Sequence, residues 1–238
     1  MKIFINNRDY VTWPSAMAEV LSNQGHEVIF LDNASTWEPL LDWYASCPFE
    51  VRRLENKGPW VNYAKHCLNE KEPFVFSDSD YDLSMVPDDW PEALLEGFVR
   101  WPTLPKCGLS YDLSRVPKEN YAYAHVERLC PKDNPEQGLM VTWGKVGPEG
   151  EYMEYSVATS FAVYKPGVPI AVNGNMRTRP YTGLHLPFHL VLEPSADPTK
   201  LSIIIDDEIA HYHKNATAPS SLKYWLADVI KEYYRRKG

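Results

Sequence analysis

Phe74-Val75-Phe76-Ser77-Asp78-Ser79-Asp80-Tyr81-Asp82 is the stretch on which the reading of this chain turns. Pro73–Phe76 is a short apolar run of the kind that forms a buried strand, and it breaks at once into serine and aspartate. Two carboxylates two residues apart at a strand end can share one divalent cation, or one can ligate while the other holds a sugar hydroxyl. Mg²⁺ and Mn²⁺ favour hard oxygen ligands and bridge carboxylates to phosphates. A turn with aspartate caps explains the same letters. The strand in front of them, inside the pattern described next, favours chemistry.

Upstream, strand and helix signals alternate. Lys2–Ile5 reads as a strand, Trp13–Asn23 as a helix with proline in its first turn, Glu27–Leu31 as a strand, and Glu38–Ser46 as a helix. Phe49–Leu54, Val61–Asn69 and Pro73–Phe76 continue as strand, helix and strand. Such alternation predicts βαβ units and a parallel sheet, in which ligands bind beyond the carboxyl ends of the strands. The polar loops 6–9, 32–36, 55–59 and 77–82 all fall there. Asp32, closing the second strand, suits a base or ribose. It also reads as an N-cap for the helix at 38, a task Asn33, Ser35 and Thr36 would do equally well.

Downstream, Trp90–Val99 reads as a helix, and residues 101–200 turn to Pro, Gly, Tyr and short strands: Leu109–Asp112, Leu139–Trp143, Met153–Tyr164, Ile170–Val172, then Leu201–Ile205. Ser220–Arg235 reads as an amphipathic helix. With 238 residues and neither repeat nor convincing linker, the expectation is one domain over 1–238, with a nucleotide-binding half (1–100) and an acceptor-binding half (101–238). A net charge of −8 argues against a broad grip on nucleic acid or an anionic membrane while allowing a local basic cleft. The four cysteines are scattered without a CxxC pair, and the start turns polar after one lysine, so a reducing cytoplasm and no secretory leader are expected. No apolar run is long enough to span a bilayer.

The order and spacing of four pieces resemble family 2 glycosyltransferases of the GT-A fold: the first strand with Asn7-Arg8, then Phe30–Thr36, Leu54–Gly58, and Phe76–Asp80. Thr159–Tyr164 and Arg179–Phe188 resemble a smaller viral and bacterial subset of such enzymes. The resemblance implies an α/β GT-A (nucleotide-diphospho-sugar transferase) fold, Rossmann-like and mostly parallel, with a mixed second half. It implies a nucleotide-sugar donor, UDP-linked in the first instance, bound with Mn²⁺ or Mg²⁺, and an inverting transfer to a glycan or other hydroxyl acceptor. By position, Asn7 and Arg8 would line the nucleotide pocket, Asp32 would meet base or ribose, and Lys57 and Gly58 would lie near them. Asp78 and Ser79 would face ribose or sugar, and Asp80, with Asp78, would hold the metal.

An inverting transfer needs a base for the acceptor proton, and here the chain departs from the family: no Glu-Asp pair follows Phe161–Tyr164, and Ala158 stands where the subset often has Asp. Glu154 and Asp112 are the candidate bases. Among the histidines, His211 and His213 are expected in extended chain after the strand at 201–205, sharing a face, with one as a ligand of metal or diphosphate. His185 is assigned to the acceptor side, with Tyr181 and Phe188 beside it. Arg177 and Arg179 are candidates for the diphosphate. Two other classes fit parts of the pattern. A sugar-nucleotide nucleotidyltransferase would carry a glycine-rich loop after the first strand, which Asn6–Tyr10 lacks. A decayed carbohydrate-binding module would account for the missing base.

Overall fold

In the computed structural model, which describes residues 1–120, 123, 139–141, 145–146, 152–155, 161–170, 174–215 and 227–237, alternation of apolar side chains sets the two faces of the sheet. In β1 (Lys2–Asn7) Ile3 and Ile5 turn to one side and Phe4 to the other. β2 (Glu27–Asn33) sends Val28 and Phe30 to the first side, Ile29 and Leu31 to the second. β4 (Phe74–Asp78) sends Val75 to the first, Phe74 and Phe76 to the second. The first side is covered by Met17, Ala18 and Leu21 of α1 (Thr12–Asn23), Trp43 and Tyr44 of α2 (Glu38–Ser46), and Trp90 and Leu94 of α4 (Trp90–Arg100). The second is covered by Tyr63 of α3 (Gly58–His66) and by Cys67. Burying each such large side chain contributes roughly 2 kcal/mol.

β3 (Glu50–Leu54) completes a parallel block in the spatial order β3-β2-β1-β4. The chain leaves β1 toward β2 and β3, then returns to place β4 on the other side of β1. That reversal opens a crevice at the carboxyl edge between β1 and β4. β10 (Ala162–Tyr164) runs antiparallel between β4 and β6 (Lys106–Asp112), so β6 points the same way as β4. β11 (Gly174–His185) lies parallel to β6 and is flanked antiparallel by β5 (Tyr81–Asp82) and β9 (Tyr152–Tyr155). β7 (Leu139–Val141) and β8 (Lys145–Val146) extend β6. A 3₁₀ turn, Leu186–His189, leads into β12 (Leu190–Val191), which pairs with β13 (Ile203–Ile204). Helices α5 (Asp207–Asn215) and α6 (Ala227–Lys237) follow. The expected α/β class, with a mostly parallel central sheet and a mixed second half, is the observed one. Among the described residues no helix is long and apolar enough to cross a membrane.

The second half departs from the sequence reading in three places. His211 and His213 lie on α5, not in extended chain, so their i, i+2 spacing puts them on different faces. Asp207 and Glu208 in the first turn and Lys214 in the last favour the helix electrostatically. Strand Met153–Tyr164 is two elements, β9 and β10, set in different parts of the sheet; Ala158, Thr159 and Ser160 between them lie outside the described residues. The same holds for Ala171 and Val172, for Thr142 and Trp143, and for the start of the C-terminal helix before Ala227. The third is β11 itself, whose local pattern of Arg, Pro and Gly hides a strand that pairs with three others.

One contact fixes β5 against β11. Tyr81 is buried, its hydroxyl donates to the Ser110 carbonyl at 2.7 Å, and its ring lies where a side chain at Gly183 would be, 2.0 Å from an added Cβ. Gly183→Ala must displace a buried ring, and the expected loss is on the order of 2 kcal/mol, read as a lowered urea midpoint at unchanged slope.

Candidate functional site

The face alternation runs on into the polar strand ends and sorts them. Asn7 and Asp32 continue the first side, and Asn6, Asn33 and Asp78 the second. On the first side Asp32, fully buried, accepts from Arg53 Nε at 2.7 Å and from the Ser35 amide at 3.3 Å. Its other oxygen, Oδ1, is buried without a hydrogen-bond partner. Asn7 donates to the Tyr10 carbonyl at 2.7 Å and to the Tyr44 hydroxyl at 2.9 Å. On the second side Asn62 of α3 donates to Asn6 at 3.0 Å and to Asn33 at 3.4 Å. Asn33 Oδ1 also takes the amides of Lys57 and Gly58 at 3.1 and 3.3 Å. Gly58 has φ +78°, which a glycine adopts at little cost.

At each helix that starts at this edge, an amide at or just before the first turn is taken by a side chain of another element. Asn33 caps α3. The N-cap of α2 is supplied by none of Asn33, Ser35 or Thr36: the buried Asp9 carboxylate, on a residue with φ 55°, accepts the amides of Thr36 and Trp37 at 2.6 and 2.9 Å. Glu208 of α5 accepts from the Thr12 amide at 3.0 Å and the Thr12 hydroxyl at 2.6 Å, capping α1. α5 is thereby strapped across the loop after β1. Arg8 Nη2 donates to the Asn215 carbonyl at 3.0 Å, Tyr212 stacks on Tyr10 with centroids 4.3 Å apart, and His211 packs on Trp37 at 4.6 Å. His211 Nε2 lies 3.2 Å from the Thr36 hydroxyl and 3.8 Å from Asp9.

Across the crevice, β4, β6 and β11 bring a second group together. Pairing of β5 with β11 sets His185 opposite Tyr81, and the Leu186 amide donates to the Asp80 carbonyl at 3.0 Å. His185 Nε2 consequently lies 3.6 Å from Asp80 Oδ2. Asp80 Oδ1 and His185 Nδ1 are both buried without hydrogen-bond partners. Burial holds the His185 ring below the usual histidine pKa, with the Asp80 charge opposing it. The ring is flanked by Tyr111 and Phe188 at 5.1 and 4.7 Å between centroids. The Tyr212 phenol of α5 has its pKa raised by burial first and then by the charges of Asp80 and Asp78.

Of the residues singled out in the sequence, the fold therefore brings Asp78, Ser79, Asp80, Asp112 and His185 to one stretch of edge. Asn7, Arg8, Asp32, Lys57 and Gly58 lie on the neighbouring stretch. Asp112 Oδ1 caps its own turn, accepting from the Ser114 amide at 2.9 Å and hydroxyl at 2.6 Å. Glu154 is not brought in: it pairs with Asn175, which is level with Cys107 and Val163 in the middle of the sheet. His211 sits with Asp9 rather than Asp80. Tyr181 turns away to Asp89, to which its hydroxyl donates at 3.1 Å. Among the described residues no three His, Cys, Asp or Glu side chains converge as a metal cage. Asp9, Arg53, Asn62, Glu208 and Tyr212 were not picked out in the sequence. Of these, Asp9 lies in the polar strand-end loop 6–9 marked in the sequence, whereas Arg53 meets Asp32 only through the observed β2–β3 register.

No family model matches the chain, and no curated protein gives a significant match. Solved structures similar to it include glucosyl-3-phosphoglycerate synthase from Mycobacterium tuberculosis in complex with phosphoglyceric acid. That match has 14% identity and a TM-score of 0.40, and covers 68% of this chain and 56% of that one. Another is CMP:2-keto-3-deoxy-manno-octonic acid synthetase complexed with CTP, at 15% identity and a TM-score of 0.33, covering 46% of this chain and 51% of that one. The matched part of this chain thus spans about half the length of each.

Behind His185, His189 is fully buried, and burial pushes its pKa down to about 4. The folded chain then takes up that proton near pH 4, whereas the unfolded chain takes it up near 6.5. Stability from the neutral ring is complete above pH 6.5 and is lost as pH falls toward 4, by on the order of 3 kcal/mol. Denaturant titrations between pH 7 and 4 should show His189→Gln with a shallower decline than the unmutated chain.

Proposed function

We propose that the chain is a divalent-metal-dependent GT-A glycosyltransferase that moves a sugar from a nucleotide-sugar, UDP-linked in the first instance, to an acceptor hydroxyl with inversion. The observation that carries this reading is the Asp80 carboxylate at the topological switch point. It has one oxygen buried without a hydrogen-bond partner and the other facing a histidine at 3.6 Å, beside a strand end that supplies Asp78.

Asp80 and Asp78 are an oxygen donor set suited to Mn²⁺ or Mg²⁺, and two carboxylates leave most of an octahedral shell to phosphate and water. When bound, the cation neutralises charge on the nucleoside diphosphate leaving group. The protein's own part is to place the reactants. Asp32, held by Arg53, and the Asn33–Asn62 pair line the edge where the nucleoside lies. Arg8 meets the diphosphate from the loop after β1. In the transfer the acceptor oxygen bonds to the anomeric carbon, the bond to the diphosphate oxygen breaks, and the acceptor proton passes to a base. Asp112 and His185 are the bases within reach of this edge. His185 is suited by being neutral at physiological pH, since burial disfavours its charged form.

A nucleotidyltransferase would cradle a triphosphate on backbone amides. Here the amides of Thr12, Thr36, Trp37, Lys57 and Gly58 are already taken by Glu208, Asp9 and Asn33, which favours the transferase. The test is a thermal-shift panel of UDP-, GDP- and dTDP-sugars with and without Mn²⁺, followed by donor hydrolysis. Metal-dependent stabilisation by one sugar nucleotide is expected. Stabilisation by a nucleoside triphosphate alone would point to a synthetase, and none by either to a binding module. Asp80→Asn is expected to weaken Mn²⁺-dependent UDP binding about tenfold or more. Asp32→Asn is expected to weaken it with or without metal. Calorimetric curves unchanged from the unmutated chain would remove these assignments.

A further inference from the structure

A second concave site lies on the outer side of the sheet edge, between β3 and α3, with a volume of about 270 Å³. Its lining combines apolar Leu54 and Val61 and polar Asn62 with the basic side chains Arg53, Lys57, Lys65 and His66. Against these stands Glu55, ion-paired with Lys57, while Arg53 is tied at its inner end to Asp32. Lys65 makes no ion pair among the described residues. Three permanent cations lining one small cleft are out of keeping with a chain of net charge −8. The positive field is felt locally: burial first, then Arg52 and Lys65, hold the His66 ring below its ordinary pKa.

We propose that this cleft binds a small phosphomonoester, with its phosphate held by Lys65 and His66 and its polar body running toward Lys57. Lys57, Val61 and Lys65 recur every four residues, so the two lysines stand roughly 12 Å apart along the helix stripe. That is longer than a bare oxyanion and short enough for a phosphorylated sugar or acid. The cleft is near the lower end of small-molecule pockets in volume. An extended polyanion would have to cross the acidic remainder of the surface. The α3 scaffold is fixed from beneath by Asn62, bonded to Asn6 and Asn33, and by the Tyr63 hydroxyl donating to the Val168 carbonyl at 2.5 Å.

The cleft shares Arg53, Lys57 and Asn62 with the edge assigned to the nucleoside, while its phosphate end at Lys65 and His66 lies about two helical turns away along α3, and its test uses neither metal nor sugar nucleotide. The imidazole Cε1–H resonance of His66, assigned by its loss in His66→Gln, is followed while ribose 5-phosphate, inorganic phosphate or a short single-stranded oligonucleotide is added. Ribose 5-phosphate is expected to shift that resonance and to raise the ring's pKa. It should bind several-fold more tightly than inorganic phosphate, and about tenfold more weakly to Lys65→Glu. Asp80→Asn should leave the titration unchanged, so the donor reading and this one fail separately. No movement of His66 at about 10 mM ester, or equal affinity in Lys65→Glu, would overturn the proposal. Equal binding of phosphate and ester would reduce the cleft to a bare anion site, and tighter binding of the oligonucleotide would make it a nucleic-acid surface; either result also overturns it.

Discussion

The structure depends on β1 being paired in parallel on both sides, to β2 and to β4. A strand buried on both faces and both edges must be apolar through its middle, and Ile3, Phe4 and Ile5 are fully buried. Because the chain turns away from β1 in opposite directions before and after, the loops that follow β1 and β4 separate, and polar groups can gather between them. The same alternation that packs Ile3 against α1 and Phe4 against α3 decides that Asn7 and Asp32 face one layer, and Asn33 and Asp78 the other. The core and the site are thus consequences of one register.

Much of the polar edge serves the fold first. Asp9, Asn33 and Glu208 each spend an oxygen on amides at or just before the start of a helix, which stabilises those helix entries by about 1 kcal/mol apiece. Among the described residues, buried polar atoms not consumed in this way include Asp80 Oδ1, Asp32 Oδ1 and His185 Nδ1, with Asn7 Oδ1 and Asp9 Oδ2 beside them. A buried polar atom left unpaired costs on the order of 1–3 kcal/mol. Those gathered along the crevice are a cost that the fold's own hydrogen bonds do not offset. α5 adds to this by laying Tyr212, His211 and Asn215 over the loop after β1.

The first half was legible in the sequence because each of its elements has its own period. Glu38–Ser46 is found as a helix with the bounds read from the letters, and Asp32 and Asp78 stand at strand ends as expected. What was not legible depends on pairing between distant segments. Nothing local in Ala162–Tyr164 says that it inserts antiparallel between β4 and β6. Nothing in Arg177–His185 says that it will deliver a histidine to Asp80. The His211–His213 pair was read in extended chain because it follows an apolar strand, yet acidic and basic residues at its two ends suit a helix. Asp9 belongs to the polar loop 6–9 read at a strand end, and there its carboxylate takes the Thr36 and Trp37 amides ahead of α2.

The central claim is that Asp80, at the switch point, is built to hold a divalent cation beside a nucleoside diphosphate. It is tested most directly by crystals grown with UDP and Mn²⁺, measured for anomalous scattering at the manganese edge. The account predicts one strong anomalous peak within about 2.2 Å of an Asp80 carboxylate oxygen, with diphosphate oxygens completing its shell and the uracil lying along Asp32. A peak elsewhere, or a bound nucleotide whose diphosphate avoids the β1–β4 crevice, would contradict it.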